Sequence, residues 1–176
     1  GWMRRYLERL GELVASRSPL GIALIRPTAV YGPWDNFDPA TSHVIPALIR
    51  KAVEKLNPYE VWGTGDEIRD ALHISDLVQG CLLLLEKHAV CDPVNIGYGQ
   101  AVTVKEVVQI ILKCAGHEDA VVRFDSSRPS TIPIRMVDTS KAERLLGFKP
   151  AISFQEGIRD TVNWYRQQRG GLPVLG

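Results

Sequence analysis

The sequence lacks most of the features that would assign a protein quickly. Its 176 residues contain no G-x-G-x-x-G and no Walker pattern, so neither common phosphate-cradling loop can be read in it. Three cysteines, Cys81, Cys91 and Cys114, stand far apart with no C-x-x-C spacing. That excludes a disulfide framework and a cysteine metal site, and leaves reduced structural thiols in a cytoplasmic protein. The longest apolar run, Cys81 to Leu85, is far too short to span a bilayer. No basic stripe stands out, and the formal net charge is only +1, which argues against nucleic acid as a partner. Nothing at the start of these residues reads as a signal peptide, and none is expected. The apolar fraction is 45% and the charged fraction 23%, ordinary for a globular domain with a real core.

What is present alternates. Residues 2–16 carry Met3, Tyr6, Leu7, Leu10, Leu13 and Val14 at helical spacing. This helix opens at Gly1 without a capping residue ahead of it, which leads to the expectation of further sequence upstream. Leu20 to Arg26 is short, continuous and rich in aliphatic residues, the pattern of a strand buried on both faces. Pro27, Gly32, Pro33 and Pro39 then punctuate a long loop. Ser42 or Thr41 is the expected cap of a helix over 44–56, with Pro46 in its first turn. Strands are expected over 59–62, 93–96 and 120–124, and an apolar helix from Ser75-Asp76 to Leu85. Thr103-Val-Lys-Glu106 and Ser153-Phe-Gln-Glu156 are capping-box patterns opening two further helices. Asp138 or Thr139 caps a short helix that Gly147 ends, and a frayed tail follows Gly170.

Ligands of α/β sheets bind beyond the carboxyl ends of the strands, so the loop after Arg26 reads as a site. His43, near the head of the next helix, is a candidate acid/base, although taken alone it reads more readily as a polar loop residue near a helix start. Trp62, ending a strand before Gly63-Thr-Gly65, is either a platform for a flat ring or core. Arg69 and Arg128 are either bidentate clamps for a phosphate or solvated charges, Arg69 lying among Asp66, Glu67 and Asp70. Gly97-Tyr-Gly99 is a fragment of a glycine-rich loop and reads as a turn.

The order is more telling than its members. R-P-T-A-V-Y-G-P, S-H-V-I-P-A-L, V-W-G-T-G-D-E-I-R-D, L-H-I-S-D and N-I-G-Y-G together resemble the extended short-chain dehydrogenase/reductase superfamily, the NAD-dependent epimerases and dehydratases. Within it they look most like the GDP-L-fucose synthase branch, NADP-dependent 3,5-epimerases and 4-reductases of GDP-4-keto-6-deoxy-mannose. The resemblance implies an α/β fold: the C-terminal portion of a Rossmann-type enzyme with its mixed α/β substrate-binding domain, the N-terminal dinucleotide-binding half being absent from these residues. Residues 1–33 would belong to the dinucleotide-binding domain and 34–168 mainly to the nucleotide-sugar domain, with a returning strand near 93–97 and a frayed tail over 169–176.

Residue by residue, the resemblance implies that His43 is an acid/base close to the nicotinamide. Pro27, Thr28, Ala29 and Val30 would line that end of the cofactor, and Lys51, Trp62, Arg69 and Arg128 would contact the GDP-sugar. The family's Tyr-x-x-x-Lys would put its tyrosine immediately before Gly1 and Arg4 at the lysine, where a guanidinium cannot readily lose its proton. Arg128 replaces a lysine, and Ala29 an asparagine. The resemblance implies NADP or NAD in an intact family member and none bound by this chain alone, no metal, and a nucleotide sugar, GDP-linked by preference, as partner. A homodimer or higher oligomer is expected from the bare apolar stripe of the first helix. Whether the chain alone is an enzyme stays open. The alternatives are a non-catalytic module binding a nucleotide sugar or a protein, and another NAD(P)-dependent sugar-nucleotide epimerase or 4,6-dehydratase.

Overall fold

The structure is a computed structural model that describes residues 2–128 and 132–171. Helix α1 (Trp2–Arg17) forms where the apolar spacing places it, but none of its residues is buried. Leu10, on its apolar stripe, is still 42% exposed, and Trp2 is 91% exposed. Strand β1 (Ile25–Pro27) is shorter than the expected strand over 20–26, and Ile22 makes only an isolated bridge to Val90. Its residues are half-buried or exposed rather than buried on both faces. The reason is pairing on one side only: β1 runs parallel to β6 (Val94–Ile96), with Ile25 opposite Val94, and among the described residues nothing hydrogen-bonds its other edge as a strand. Arg26 is drawn outward by the Glu8 carboxylate of α1, at 2.7 Å from both Nε and Nη2.

The long loop is not wholly irregular. Strand β2 (Ala29–Tyr31) interrupts it and pairs in parallel with β5 (Ala71–His73). Beyond Gly32 the chain is shaped by its own short polar side chains. Asp38 accepts from the amides of Ala40 and Thr41, and Asn36 bonds to the Thr41 hydroxyl. Thr41 is therefore engaged elsewhere, and the N-cap of α2 (Val44–Val53) is His43, whose side chain makes no capping bond. That corrects the expectation of Ser42 or Thr41. Helix α2 also stops three residues before Leu56, because Lys55 adopts a left-handed φ of 58°.

Strand β3 (Tyr59–Trp62) falls on the expected residues and pairs in parallel with β8 (Val122–Asp125). Strand β4 (Ile68–Arg69) lies between β7 (Val102–Thr103), antiparallel, and β9 (Ile134–Arg135), parallel. Helices α3 (Ile74–Lys87), α4 (Val104–Cys114), α5 (Ser140–Leu146) and α6 (Phe154–Gly171) complete the chain. Both capping boxes form: Thr103 and Glu106 exchange amide bonds, as do Ser153 and Glu156 at 3.0 and 3.3 Å. Asp138, two residues ahead of α5, accepts from the Ser140 amide, and Gly147 ends that helix at φ 66°. Helix α6 runs to Gly171, and the rest of the expected tail lies outside the described residues.

Two apolar cores result. One lies among α2, β3, α4 and α6, around Ile49, Tyr59, Ile111 and Ile158. The other packs α3, α5 and β6 around Leu72, Leu84, Ile96 and Leu146. Tyr98, just past β6, packs against both. No helix among the described residues is long and apolar enough to cross a membrane.

Candidate functional site

Strand β1 ends beside the end of β6, and the segment Pro27–Val30 turns there from β1 into β2. Pro27 is opposite Ile96, the Thr28 amide donates to the Ile96 carbonyl at 3.0 Å, and Ala29 and Val30 pair with Ala71 and Leu72. The Thr28 hydroxyl donates to the carbonyl of Asp70 at 2.7 Å. The segment thus runs across the carboxyl ends of parallel strands, where ligands of such sheets bind. His43 is exposed at the head of α2, and Arg4 is exposed on α1.

Trp62 and Arg128 are brought together. Trp62 ends β3 with 63% of its surface exposed, which decides against the core reading. The Arg128 guanidinium lies 4.8 Å from the indole centroid, a cation–π contact, and its Nε is 3.7 Å from the Asp125 carboxylate. Asp125 is itself held below the usual carboxylate range by the hydroxyl and amide of Ser127. Arg69 joins the same loop from below. Its Nη1 donates to the carbonyls of Ile132 and Pro133 at 3.1 and 3.4 Å. Lys51 donates to the carbonyl of Glu60 on β3 at 2.7 Å, and burial pushes its ammonium below the usual lysine range. Three of the four candidate contacts are therefore tied to the backbone of β3 or of the loop after β8, or stacked on the end of β3. No hydrogen bond, ion pair or ring contact among the described residues links that group to His43 or Arg4.

Several polar residues escaped the sequence reading. Asp70 is not a solvated charge: it is 1% exposed and accepts amide bonds from Tyr98 and Val137. The Gly97-Tyr98-Gly99 turn does cradle an anion, but that anion is the chain's own Asp70. Asp76, also buried, accepts from the amides of Ala151 and Ile152 at 2.9 and 3.1 Å. His73 caps α3 through Nδ1, and its Nε2 lies 3.4 Å from the Asp160 carboxylate. It packs edge-on to the buried Tyr31, whose hydroxyl burial pushes well above its ordinary range. The available signal was a polar residue inside an otherwise apolar run, as in A-L-H-I-S-D-L.

A separate cleft between α2 and α6 is lined by Val53, Glu54, Arg166 and Arg169. Its charges are spent internally, Arg169 on Glu54 and Arg166 on the carbonyl of Ala115 at the end of α4. It offers no free acid/base group.

Helices laid on short parallel strands define a Rossmann-type α/β architecture. The chain belongs to the NAD dependent epimerase/dehydratase family, whose model matches residues 2–97. A GDP-L-fucose synthase of Arabidopsis thaliana is 41% identical over 143 residues, covering 79% of this chain and 44% of that protein. Among solved structures, a GDP-L-fucose synthetase of Naegleria fowleri bound to NADP superposes with a TM-score of 0.85 at 24% identity, covering 95% of this chain and 55% of that one. A UDP-glucose 4-epimerase of Thermotoga maritima with UDP-glucose gives 0.77 at 26% identity, covering 92% and 51%. The chain spans about half the length of the curated relatives it matches.

The nicotinamide cofactor that the family implies fits only in part. Pro27–Val30 offers a strand-end segment for one end of it. No glycine-rich dinucleotide turn occurs in the 176 residues, and the two Gly-x-Gly turns that follow strands already bind the chain's own carboxylates, Gly97–Gly99 that of Asp70 and Gly63–Gly65 that of Glu67. The residues present do not fit a whole dinucleotide.

Proposed function

We propose that this chain is the substrate-binding part of a nucleotide-sugar epimerase/reductase of the GDP-L-fucose synthase kind. Trp62, Arg69, Arg128 and Lys51 hold the sugar nucleotide, His43 serves as acid/base, and Pro27–Val30 lines the nicotinamide end of NADP or NAD in an intact enzyme. Residues 1–33 belong with the dinucleotide-binding domain, and most of 34–168 with the sugar-nucleotide domain. The chain alone binds no whole cofactor and turns nothing over.

The observation that carries this reading is the exposed Trp62 with a guanidinium stacked on it, beside a loop anchored by a second arginine. An open aromatic face takes a base by stacking, and a nearby arginine pairs with phosphate. Titration calorimetry with GDP tests it. Binding is expected at up to millimolar concentration, stronger for GDP than for UDP. Trp62→Ala is expected to weaken it by about 1–3 kcal/mol, the worth of a stacked base. Absence of heat with both nucleotides from a folded sample would sink the reading, and preference for UDP would move it to the UDP-sugar epimerases.

A second property belongs to the same proposal. The exposed Trp2, Met3, Tyr6, Leu7, Leu10 and Leu13 give α1 an apolar face that water disfavours. The chain therefore self-associates, and light scattering should return a dimer or larger. A clean monomer would remove α1 as an interface. Three unpaired cysteines fit a cytoplasmic setting.

A further inference from the structure

We propose that Asp70 is a positioning residue for the nucleotide-sugar site: it fixes the Arg69 strand against both the Pro27–Val30 segment and the Gly97–Gly99 turn, and its charge state sets how firmly a nucleoside diphosphate is gripped. The proposal rests on the nucleotide-sugar reading above and adds a residue that this reading does not use.

Asp70 follows Arg69, so the two side chains leave the strand on opposite sides. Arg69 reaches toward Ile132 and Pro133; Asp70 turns inward and joins four segments. Its carboxylate accepts from the Tyr98 amide at 2.9 Å and the Val137 amide at 3.3 Å. Its amide donates to the Arg135 carbonyl at 3.0 Å, and its carbonyl accepts from the Thr28 hydroxyl at 2.7 Å. The turn is built around this group. A Cβ on Gly97 would stand 2.9 Å from an Asp70 carboxylate oxygen, and Gly99 adopts φ +73°. Because Tyr98 also packs against both cores, the carboxylate sits at their seam.

An ionised carboxylate offers only acceptors to these amides, whereas the neutral acid turns one oxygen into a donor facing N–H groups. Proton uptake should therefore loosen the seam. Burial raises the Asp70 carboxyl above its ordinary range, against the pull of the Tyr98, Val137 and Gly99 amides. Uptake thus begins nearer neutrality than for an exposed aspartate. The other titratable or charged side chains on the surrounding elements are Arg69 and His73 along its own strand run, Arg135 and Asp138 on the β9 side, Tyr98 in the turn, and Arg26 ahead of Thr28.

The test is GDP calorimetry on the 176-residue chain from about pH 8 to about pH 5, with Asp70→Asn, Arg69→Ala and the double variant. Near pH 8, Asp70→Asn is expected to weaken GDP about tenfold while near-ultraviolet circular dichroism stays native. The native chain should lose affinity as the pH falls, and Asp70→Asn should remove that loss. In the Arg69→Ala background, Asp70→Asn should cost nothing further. Wild-type affinity in Asp70→Asn, an unchanged pH profile, or independent multiplication of the two substitutions would overturn the proposal. Should Asp70→Asn not fold, Thr28→Val, which removes the bond to the Asp70 carbonyl, carries the same decision. Weaker GDP binding that is lost in the Arg69→Ala background supports the proposal, and unaltered binding sinks it. A native chain that binds no GDP defeats the nucleotide-sugar reading itself, and this proposal with it. Normal binding by the native chain together with an indifferent Asp70→Asn defeats this proposal alone.

Discussion

Supplied with NADPH and GDP-4-keto-6-deoxy-mannose, the purified 176-residue chain is expected to oxidise no cofactor, even where it binds GDP. Hydride transfer requires the nicotinamide carbon to be held within about 3–3.5 Å of the sugar carbon, and lost positioning costs up to about 7–11 kcal/mol of barrier. On the proposed reading the chain brings only the Pro27–Val30 end of that arrangement, and its 176 residues contain no glycine-rich dinucleotide turn to hold the pyrophosphate. The turn past β6 cannot substitute, because Asp70 occupies it and would repel a second anion. Arg4 cannot stand in for a lysine that exchanges a proton, since a guanidinium stays charged. Absorbance at the NADPH band checks this, with GDP calorimetry on the same sample as the control for folding. Steady turnover would mean that the catalytic groups lie elsewhere than His43 and the strand ends.

The parts of this fold that could be read from the sequence are those set by neighbours a few residues away. The Thr103–Glu106 and Ser153–Glu156 boxes require only the identities of residues three apart, and both form. Strand β3 ends where Gly63 and Gly65 demand positive φ, at 96° and 86°, and so its bounds were legible. Strands β2, β4 and β5 were not. Each has two or three residues, too few for a period, and each exists because a distant partner arrives, Ala71 for Ala29 and Ile134 for Ile68. Asp70 illustrates the same limit within the site. In the run Asp66-Glu67-Ile68-Arg69-Asp70 it looks like one more solvated charge. It is buried only because the turn at Gly97 and the strand leading to Val137 close over it. Lys51, which the resemblance places among the ligand contacts, spends one of its three donors on the carbonyl of Glu60, a bond that no local pattern in the sequence announces.

The same dependence on distant partners governs stability at the junction of β2, α3 and α6, where Gly157→Ala is expected to destabilise the chain by about 2–3 kcal/mol and Gly157→Val by about 4 kcal/mol. Helix propensity alone gives the opposite sign, since alanine in a helix interior is better than glycine by about 1 kcal/mol. Packing decides the matter. A Cβ at Gly157 would come within 2.4 Å of the Tyr31 hydroxyl and 3.1 Å of His73 Cδ2. Neither can retreat: Tyr31 is 2% exposed and lies against Phe154 and His73, and His73 is 4% exposed at the cap of α3. Relief requires α6 to lift away, which strains the bonds that the buried Asp76 makes to Ala151 and Ile152 just before it. Gly147→Ala provides the contrast. That residue has a positive φ, 66°, which the helical Gly157 does not, and nothing lies within 4 Å of the added carbon. Only the backbone penalty of about 1–2 kcal/mol applies there. Urea unfolding followed by tryptophan fluorescence checks the series. A midpoint for Gly157→Val at or above that of Gly147→Ala would show that α6 yields freely, and that Tyr31 and His73 do not clamp it to the strand carrying the candidate cofactor segment.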